Sequence, residues 1–119
     1  MRVLVTGSRN YTSRKSIKNA LDRVTNGYNR KDITLVHGAC STGADAIADS
    51  IAVEKGWKIE RYPAQWHKHG KAAGPIRNSE MADAGADVCL AFPMEDSRGT
   101  FDMIKKARAA GIHVNVYTI

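Results

Sequence analysis

Val3-Leu4-Val5-Thr6-Gly7-Ser8-Arg9 is the first regular stretch of the chain: an apolar run, then a glycine, a hydroxyl and a cation. A short apolar run without polar alternation is the pattern of a strand covered on both faces. The residues after it form a tight exit from such a strand. The same order recurs where Leu35-Val36 leads into His37-Gly38-Ala39-Cys40-Ser41-Thr42-Gly43-Ala44-Asp45. It recurs again where Val88-Cys89-Leu90-Ala91-Phe92 leads through a short loop to Ser97-Arg98-Gly99-Thr100. Parallel strands line up their exits along one sheet edge, where backbone N–H groups, helix N-termini and arginines converge on an anion. The first expectation is therefore a pocket for a phosphorylated small molecule.

Working outward, strand one spans Arg2 to Thr6. A helix follows from about Ser13 to Thr25, with Ile17, Ala20, Leu21 and Val24 at helical spacing and Asn26-Gly27 as its stop. Strand two covers Asp32 to His37. A second helix runs from about Gly43 to Lys55, with Thr42 as its cap and Asp45 completing something close to a capping box. Strand three is Trp57 to Tyr62. Pro63 to Ala73 reads as a loop long enough to be functional. Gly74-Pro75 opens a third helix that ends near Gly85, and Asp87 to Phe92 is strand four. Thr100 caps a fourth helix closed by Gly111, and His113 to Tyr117 is strand five. Strands alternating with amphipathic helices predict an α/β fold: a three-layer, Rossmann-like, doubly wound parallel sheet of five strands in the order 3-2-1-4-5. The exits of strands one and four would then flank one crevice.

At 119 residues the chain is expected to be a single domain, 1–119. Its apolar runs of about five residues fall far short of the ~20 that span a membrane, and the immediate start of strand one leaves no room for a signal peptide. Cys40 and Cys89 form neither a metal-ligand spacing nor a disulfide framework, so a reduced, cytoplasmic protein is expected. The net charge of +6 fits either a nucleic-acid footprint or a field that draws in anionic metabolites. The basic residues are scattered mainly over helix faces, so charge decides little.

Each constellation carries an ordinary reading beside a functional one. Gly7-Ser8-Arg9 could approach and fork a phosphate, or be a turn with a surface arginine. The loop from Gly38 to Gly43 has P-loop spacing, but Ala44-Asp45 stands where Lys and a hydroxyl would be needed, which excludes a magnesium-dependent NTPase. Asp45 is a dipole partner for its helix or a ribose contact. Arg77 and Asn78, placed in the first turn of a helix, call for a compensating anion, which a phosphate or an acidic residue such as Glu80 or Asp83 would supply. Trp66 could stack a base or pack over the sheet edge. His67 and His69 make a weak metal site, and none is expected. His37 could be a general base or a hydrogen-bonded half-buried histidine.

Taken together, Val5-Thr6-Gly7-Ser8-Arg9, Val36-His37-Gly38-Ala39 with Thr42 to Ala46, Pro63 to Trp66, Gly70 to Met81 and Gly99 to Met103 resemble the SLOG superfamily, specifically its small YpsA-related branch. The resemblance spans nearly the whole chain. It implies a nucleotide or nucleotide-derived ligand, with signalling, stress or phage-conflict roles suspected for relatives; no cofactor is expected. The Lonely Guy phosphoribohydrolases of the same superfamily carry a Pro-Gly-Gly-x-Gly-Thr-x-x-Glu motif. Gly99-Thr100 matches it, but the double glycine is missing and Met103 stands at the glutamate position. Asp102 lies one residue earlier, about 100° away around a helix.

The expected site therefore comprises Gly7, Ser8, Arg9, Gly99 and Thr100 around phosphate, with Arg77 and Asn78 closing over it. His37, Gly38, Gly43 and Asp45 would lie on the ribose side, and Trp66 would cover the base. A sensor, carrier or sequestering protein is the leading expectation. The alternatives are an N-glycosidase using Asp102 or Asp45 as its acid or base, and single-stranded DNA binding as in the DprA relatives. The last is weakest, because no aromatic series or accessory domain accompanies it. The partner is a small molecule, with a homo-oligomer open and no membrane expected.

Overall fold

The computed structural model describes residues 1–95 and 97–118. Among them, five strands form one wholly parallel sheet: β1 (Arg2–Gly7), β2 (Thr34–His37), β3 (Lys58–Arg61), β4 (Val88–Phe92) and β5 (His113–Val116). Their order is β3-β2-β1-β4-β5, as the alternation of elements predicts. The three central strands are the apolar ones; the β3 edge exposes Lys58 and Arg61, charges that discourage edge-to-edge pairing, and the β5 edge exposes His113 and Val116.

Alternate side chains of the central strands feed two cores. Val3, Val5, Leu35 and Leu90 pack under α1 (Arg14–Thr25) and α2 (Gly43–Lys55), through Ile17 and Leu21 of the first and Ala48 and Ile51 of the second. Leu4, Val36 and Cys89 point to the opposite face. There they meet Met81 and Ala82 of α4 (Ala73–Ala84) and Met103 and Ala107 of α5 (Arg98–Ala109). The sheet is thus the middle of three layers.

Four local expectations need correction. The segment from Pro63 to Ala73 is not a plain loop: Trp66–His69 forms a one-turn helix, α3, followed by a 3-10 turn over Gly70–Ala72 that runs straight into α4. Because α4 starts at Ala73, Pro75 is its third residue, still among the first-turn positions whose N–H groups lack helical partners. Arg77 therefore lies in the second turn rather than the first. Ser97, not Thr100, takes the N-cap position of α5, without a capping bond from its side chain, and Thr100 sits inside the first turn. Thr42 precedes α2 but its side chain makes no capping hydrogen bond; Ala44 N–H instead donates to the Ser8 carbonyl at 3.1 Å.

Candidate functional site

The strand order reverses between β1 and β4, and a cleft of about 650 Å³ opens at the carboxyl ends of these strands. That volume is in the range that encloses a small organic ligand. The cleft has four walls: the three exits seen in the sequence, after β1, β2 and β4, and helix α4.

The β1 exit is a self-contained turn. Ser8 N–H donates to the Phe92 carbonyl at 3.0 Å, the Ser8 carbonyl accepts from Tyr11 N–H, and Ser8 Oγ accepts from Asn10 N–H at 3.0 Å. Gly7 lines the cleft, yet its lack of a side chain is required from behind: a Cβ there would lie 2.5 Å from Ala44 Cβ. Gly43 serves the same packing. Its φ of +77° is in the left-handed region, and a Cβ would run into the Ser8 and Arg9 backbone. Gly43 does not line the cleft, so it acts on the site only by letting α2 dock against this turn.

At the β2 exit the first three backbone N–H groups are already taken. Gly38 N–H and Cys40 N–H donate to Asp45 Oδ2 at 3.2 and 3.4 Å, and Ala39 N–H donates to His37 Nδ1 at 2.9 Å. Ala39 itself has φ +59°, an uncommon conformation for a residue with a side chain, stabilised here by this bonding. The N–H groups of Gly38, Ala39 and Cys40 are therefore spent inside the loop. His37 does not face the cleft either. It is 2% exposed, and Nε2 lies 2.6 Å from Asp49 Oδ2. Since Nδ1 accepts from Ala39, the ring proton is on Nε2 and is given to Asp49. Arg61 holds the other side of Asp49 with two hydrogen bonds and, with His37 adding to the effect, keeps its carboxyl below the usual range. The hydrogen-bonded histidine is the reading that fits.

Asp45 is the unusual group. It lines the cleft, is 5% exposed, and its Oδ1 has no hydrogen-bond partner among the described residues. Burial raises its carboxyl above the ordinary range, against the pull of His37, the Cys40 N–H and Arg77. The neighbouring Cys40 thiol is raised too, by burial first and then by the Asp45 charge, which is the wrong direction for a reactive thiolate.

The third wall is α4. Arg77 is not answered by Glu80 or Asp83; it reaches across to β2, where Nη1 donates to the Gly38 carbonyl at 2.5 Å, while Nε donates to Asn78 Oδ1 at 2.9 Å. A side chain on Gly38 would collide with this guanidinium. Asn78 in turn donates to the Gly99 carbonyl at 3.1 Å and to Asp102 Oδ2 at 3.0 Å, and Lys106 holds the same carboxylate oxygen at 2.9 Å. One continuous network thus braces β2, α4 and α5 across the switch point.

The fourth wall is the start of α5. Ser97 Oγ accepts from Met94 N–H at 2.8 Å and so does not cap the helix. The first turn contains no acidic residue, and Arg98, Gly99 and Thr100 border the cleft. The N–H groups of this first turn lack helical partners and carry the positive end of the helix dipole toward the cleft wall. At the mouth, Trp66 is 49% exposed, with the Arg9 guanidinium 6.0 Å from its ring centroid. Arg9, Lys71, Arg77 and Arg98 oppose Asp45 and Asp102 around the cleft.

Ten of the expected residues therefore border one cavity: Gly7, Ser8, Arg9, Gly38, Asp45, Trp66, Arg77, Asn78, Gly99 and Thr100. His37 and Gly43 stand behind it. Asp102 also borders the cleft, whereas Met103 is fully buried among Leu4, Val36 and Cys89. Asn10 also lines the cleft, and no motif marked it; Ser97, quoted with the third exit but not counted as a site residue, does so too. Among the described residues no cluster of His, Cys, Asp and Glu could hold a metal, and no helix is long and apolar enough to cross a membrane.

Residues 1–69 match the profile described as YAcAr, the YspA, cpYpsA-related SLOG family. The chain belongs to this family. It is also similar to the Gene 61 protein of Mycobacterium phage D29, 43% identical over 120 aligned positions that cover 95% of this chain and 93% of the relative. SLOG membership associates the chain with nucleotide-related small molecules at a general level. The matched region contributes the β1 and β2 walls of the cleft and Trp66; α4 and α5 contribute the others.

Proposed function

We propose that this SLOG protein binds a nucleotide or nucleotide-derived ligand, such as an ADP-ribose-like molecule, and holds it as a sensor, carrier or sequestering protein. The observation that carries the reading is the division of the cleft at the strand switch point. Its α5 side presents an uncapped helix start with Arg98 and Arg9, suited to phosphate. Its β2 side presents a buried carboxylate, suited to hydroxyls. The exposed Trp66 ring at the mouth is available for a base to stack on. Titration of the protein with a panel of nucleotides and ADP-ribose, followed by tryptophan fluorescence, tests it. Trp57 is buried, so the change should come from Trp66 and vanish in Trp66→Phe. Absence of binding at millimolar ligand would sink the proposal.

A second reading is favoured by one observation. The carboxylate that borders the cleft is Asp102, one position before the buried Met103, so an acid is available to an N-glycosidase after all. Chromatography of a nucleoside monophosphate incubated with the protein would then reveal free base and ribose phosphate. Asp102→Asn should abolish that turnover. Intact nucleotide after prolonged incubation excludes this reading and leaves the binding protein.

A further inference from the structure

We infer that Asp45 selects ribose over deoxyribose, so that the ligand class is a ribonucleotide with a free sugar hydroxyl seated on Asp45 Oδ1. The inference rests on the nucleotide-binding reading and sharpens it.

Asp45 is nearly fully buried and shares its two oxygens unequally. Oδ2 receives the N–H groups of Gly38 and Cys40, whereas Oδ1, in the same carboxyl group, has no partner among the described residues. A buried carboxylate oxygen without a hydrogen bond is costly, and native sites that keep one generally complete it with a ligand or water. The loop cannot turn away to relieve it. Ala39 is locked in a left-handed conformation by His37, and Gly38 is fixed between Asp45 and the Arg77 guanidinium.

The chemistry of the partner follows from what Oδ1 can accept in either protonation state. A phosphate oxygen fits only if the carboxyl keeps its proton, and an N–H donor fits only if the proton is lost. A hydroxyl fits both, donating to the carboxylate or accepting from the acid. Phosphate is better served at the start of α5, where Arg98 and the first-turn N–H groups lie. The sugar of a nucleotide spanning the cleft therefore belongs on the Asp45 side.

The test uses the 5′-monophosphates of adenosine, guanosine, cytidine and uridine, with the 2′-deoxy and 3′-deoxy forms of each, on the full chain by calorimetry. At least one ribonucleotide should bind, and at least one of its deoxy forms should bind about tenfold or more weakly, the range of one hydrogen bond to a charged group. In Asp45→Asn the amide oxygen can take the place of Oδ2 beneath Gly38 and Cys40, leaving an NH₂ at the Oδ1 position. The gap between ribo and deoxy forms should then narrow severalfold. Equal binding of ribo and deoxy forms by the unaltered protein overturns the inference while leaving nucleotide binding intact. A gap that persists unchanged in Asp45→Asn also overturns it. If none of these ribonucleotides or deoxynucleotides binds, this inference falls, while the panel titration with ADP-ribose decides the binding reading.

Discussion

Alanine at Gly38 should damage the site chiefly by displacing Arg77, and the size of that effect can be worked out from the geometry. The φ of Gly38 is not in the left-handed region, so alanine is allowed by the backbone. Its Cβ would collide with the Arg77 guanidinium and approach Asp45 Oδ2 to 3.1 Å. The guanidinium is the far end of a flexible side chain and can swing away. Doing so gives up its bonds to the Gly38 carbonyl and to Asn78 Oδ1. Charge-assisted hydrogen bonds of this kind contribute about 1.5–3 kcal/mol, so Gly38→Ala should destabilise the protein by roughly 2 kcal/mol. For a chain of this length that is about 8 °C in melting temperature. Arg77→Ala should cost a similar amount for the same lost bonds. In Gly38→Ala/Arg77→Ala the collision no longer exists, and the pair should fall short of the sum of the single costs by at least about 1 kcal/mol. Urea unfolding of the three variants and the parent measures this directly. Additivity within about 0.5 kcal/mol would show that Gly38 and Arg77 do not meet as described.

Gly43→Ala provides the contrasting case, because both its left-handed φ and the Ser8 and Arg9 backbone oppose a Cβ; a loss of about 2–5 kcal/mol is expected in the same assay, and a melting temperature within about 2 °C of the parent would contradict it. Asp45 should make stability fall as pH rises. Its folded carboxyl is raised above the ordinary 3.8, so its contribution is fully present below that value and is lost as pH climbs through the folded pKa. Melting curves of the parent and Asp45→Asn should therefore diverge above pH 3.8 in favour of the variant; parallel curves would show the carboxyl is not raised. Asp49 has the opposite sign, since Arg61 and His37 lower its carboxyl: its stabilisation is present above 3.8 and is lost as pH falls through the lowered value. Asp49→Asn should consequently flatten the acid limb of the stability profile. Finally, imidazole ¹⁵N spectra should show the neutral His37 ring protonated on Nε2; a proton on Nδ1 would refute its acceptance of the Ala39 N–H.

Strand order was readable because it depends on long-lived features of the chain: three central apolar runs, polar edges, and a helix between each pair of strands. The errors cluster where a single turn decides the structure. Trp66-His67-Lys68-His69 is too short to show helical periodicity, so α3 was indistinguishable from loop. Ser97 and Thr100 are both hydroxyl residues able to cap, yet Ser97 takes the N-cap position and spends its hydroxyl on the Met94 N–H, which no sequence pattern signals. The apparent capping pair Thr42 and Asp45 is diverted because Ser8 takes the Ala44 N–H and the β2 turn takes the carboxylate. The clustering of Gly7, Arg9, Gly38, Arg77 and Gly99 followed from topology alone. What each contributes did not: whether a glycine makes room for a ligand or for a neighbouring helix depends on what stands behind it. Gly7 and Gly43 answer to Ala44 and Ser8, and Gly38 answers to Arg77.

The bond from Arg77 to Gly38 joins residues 39 positions apart, and Asn78 extends the tie to Asp102. The cleft therefore has no local existence. No fragment short of β1 through α5 contains its walls, and fraying that separates α4 from β2 takes the binding surface with it. A molecule that recognises this cleft must recognise the folded chain and ignore the unfolded one. Occupancy at a hundred times Kd would then add about 2.7 kcal/mol to global stability. The melting temperature of the whole chain would then gauge any molecule that fits the cleft.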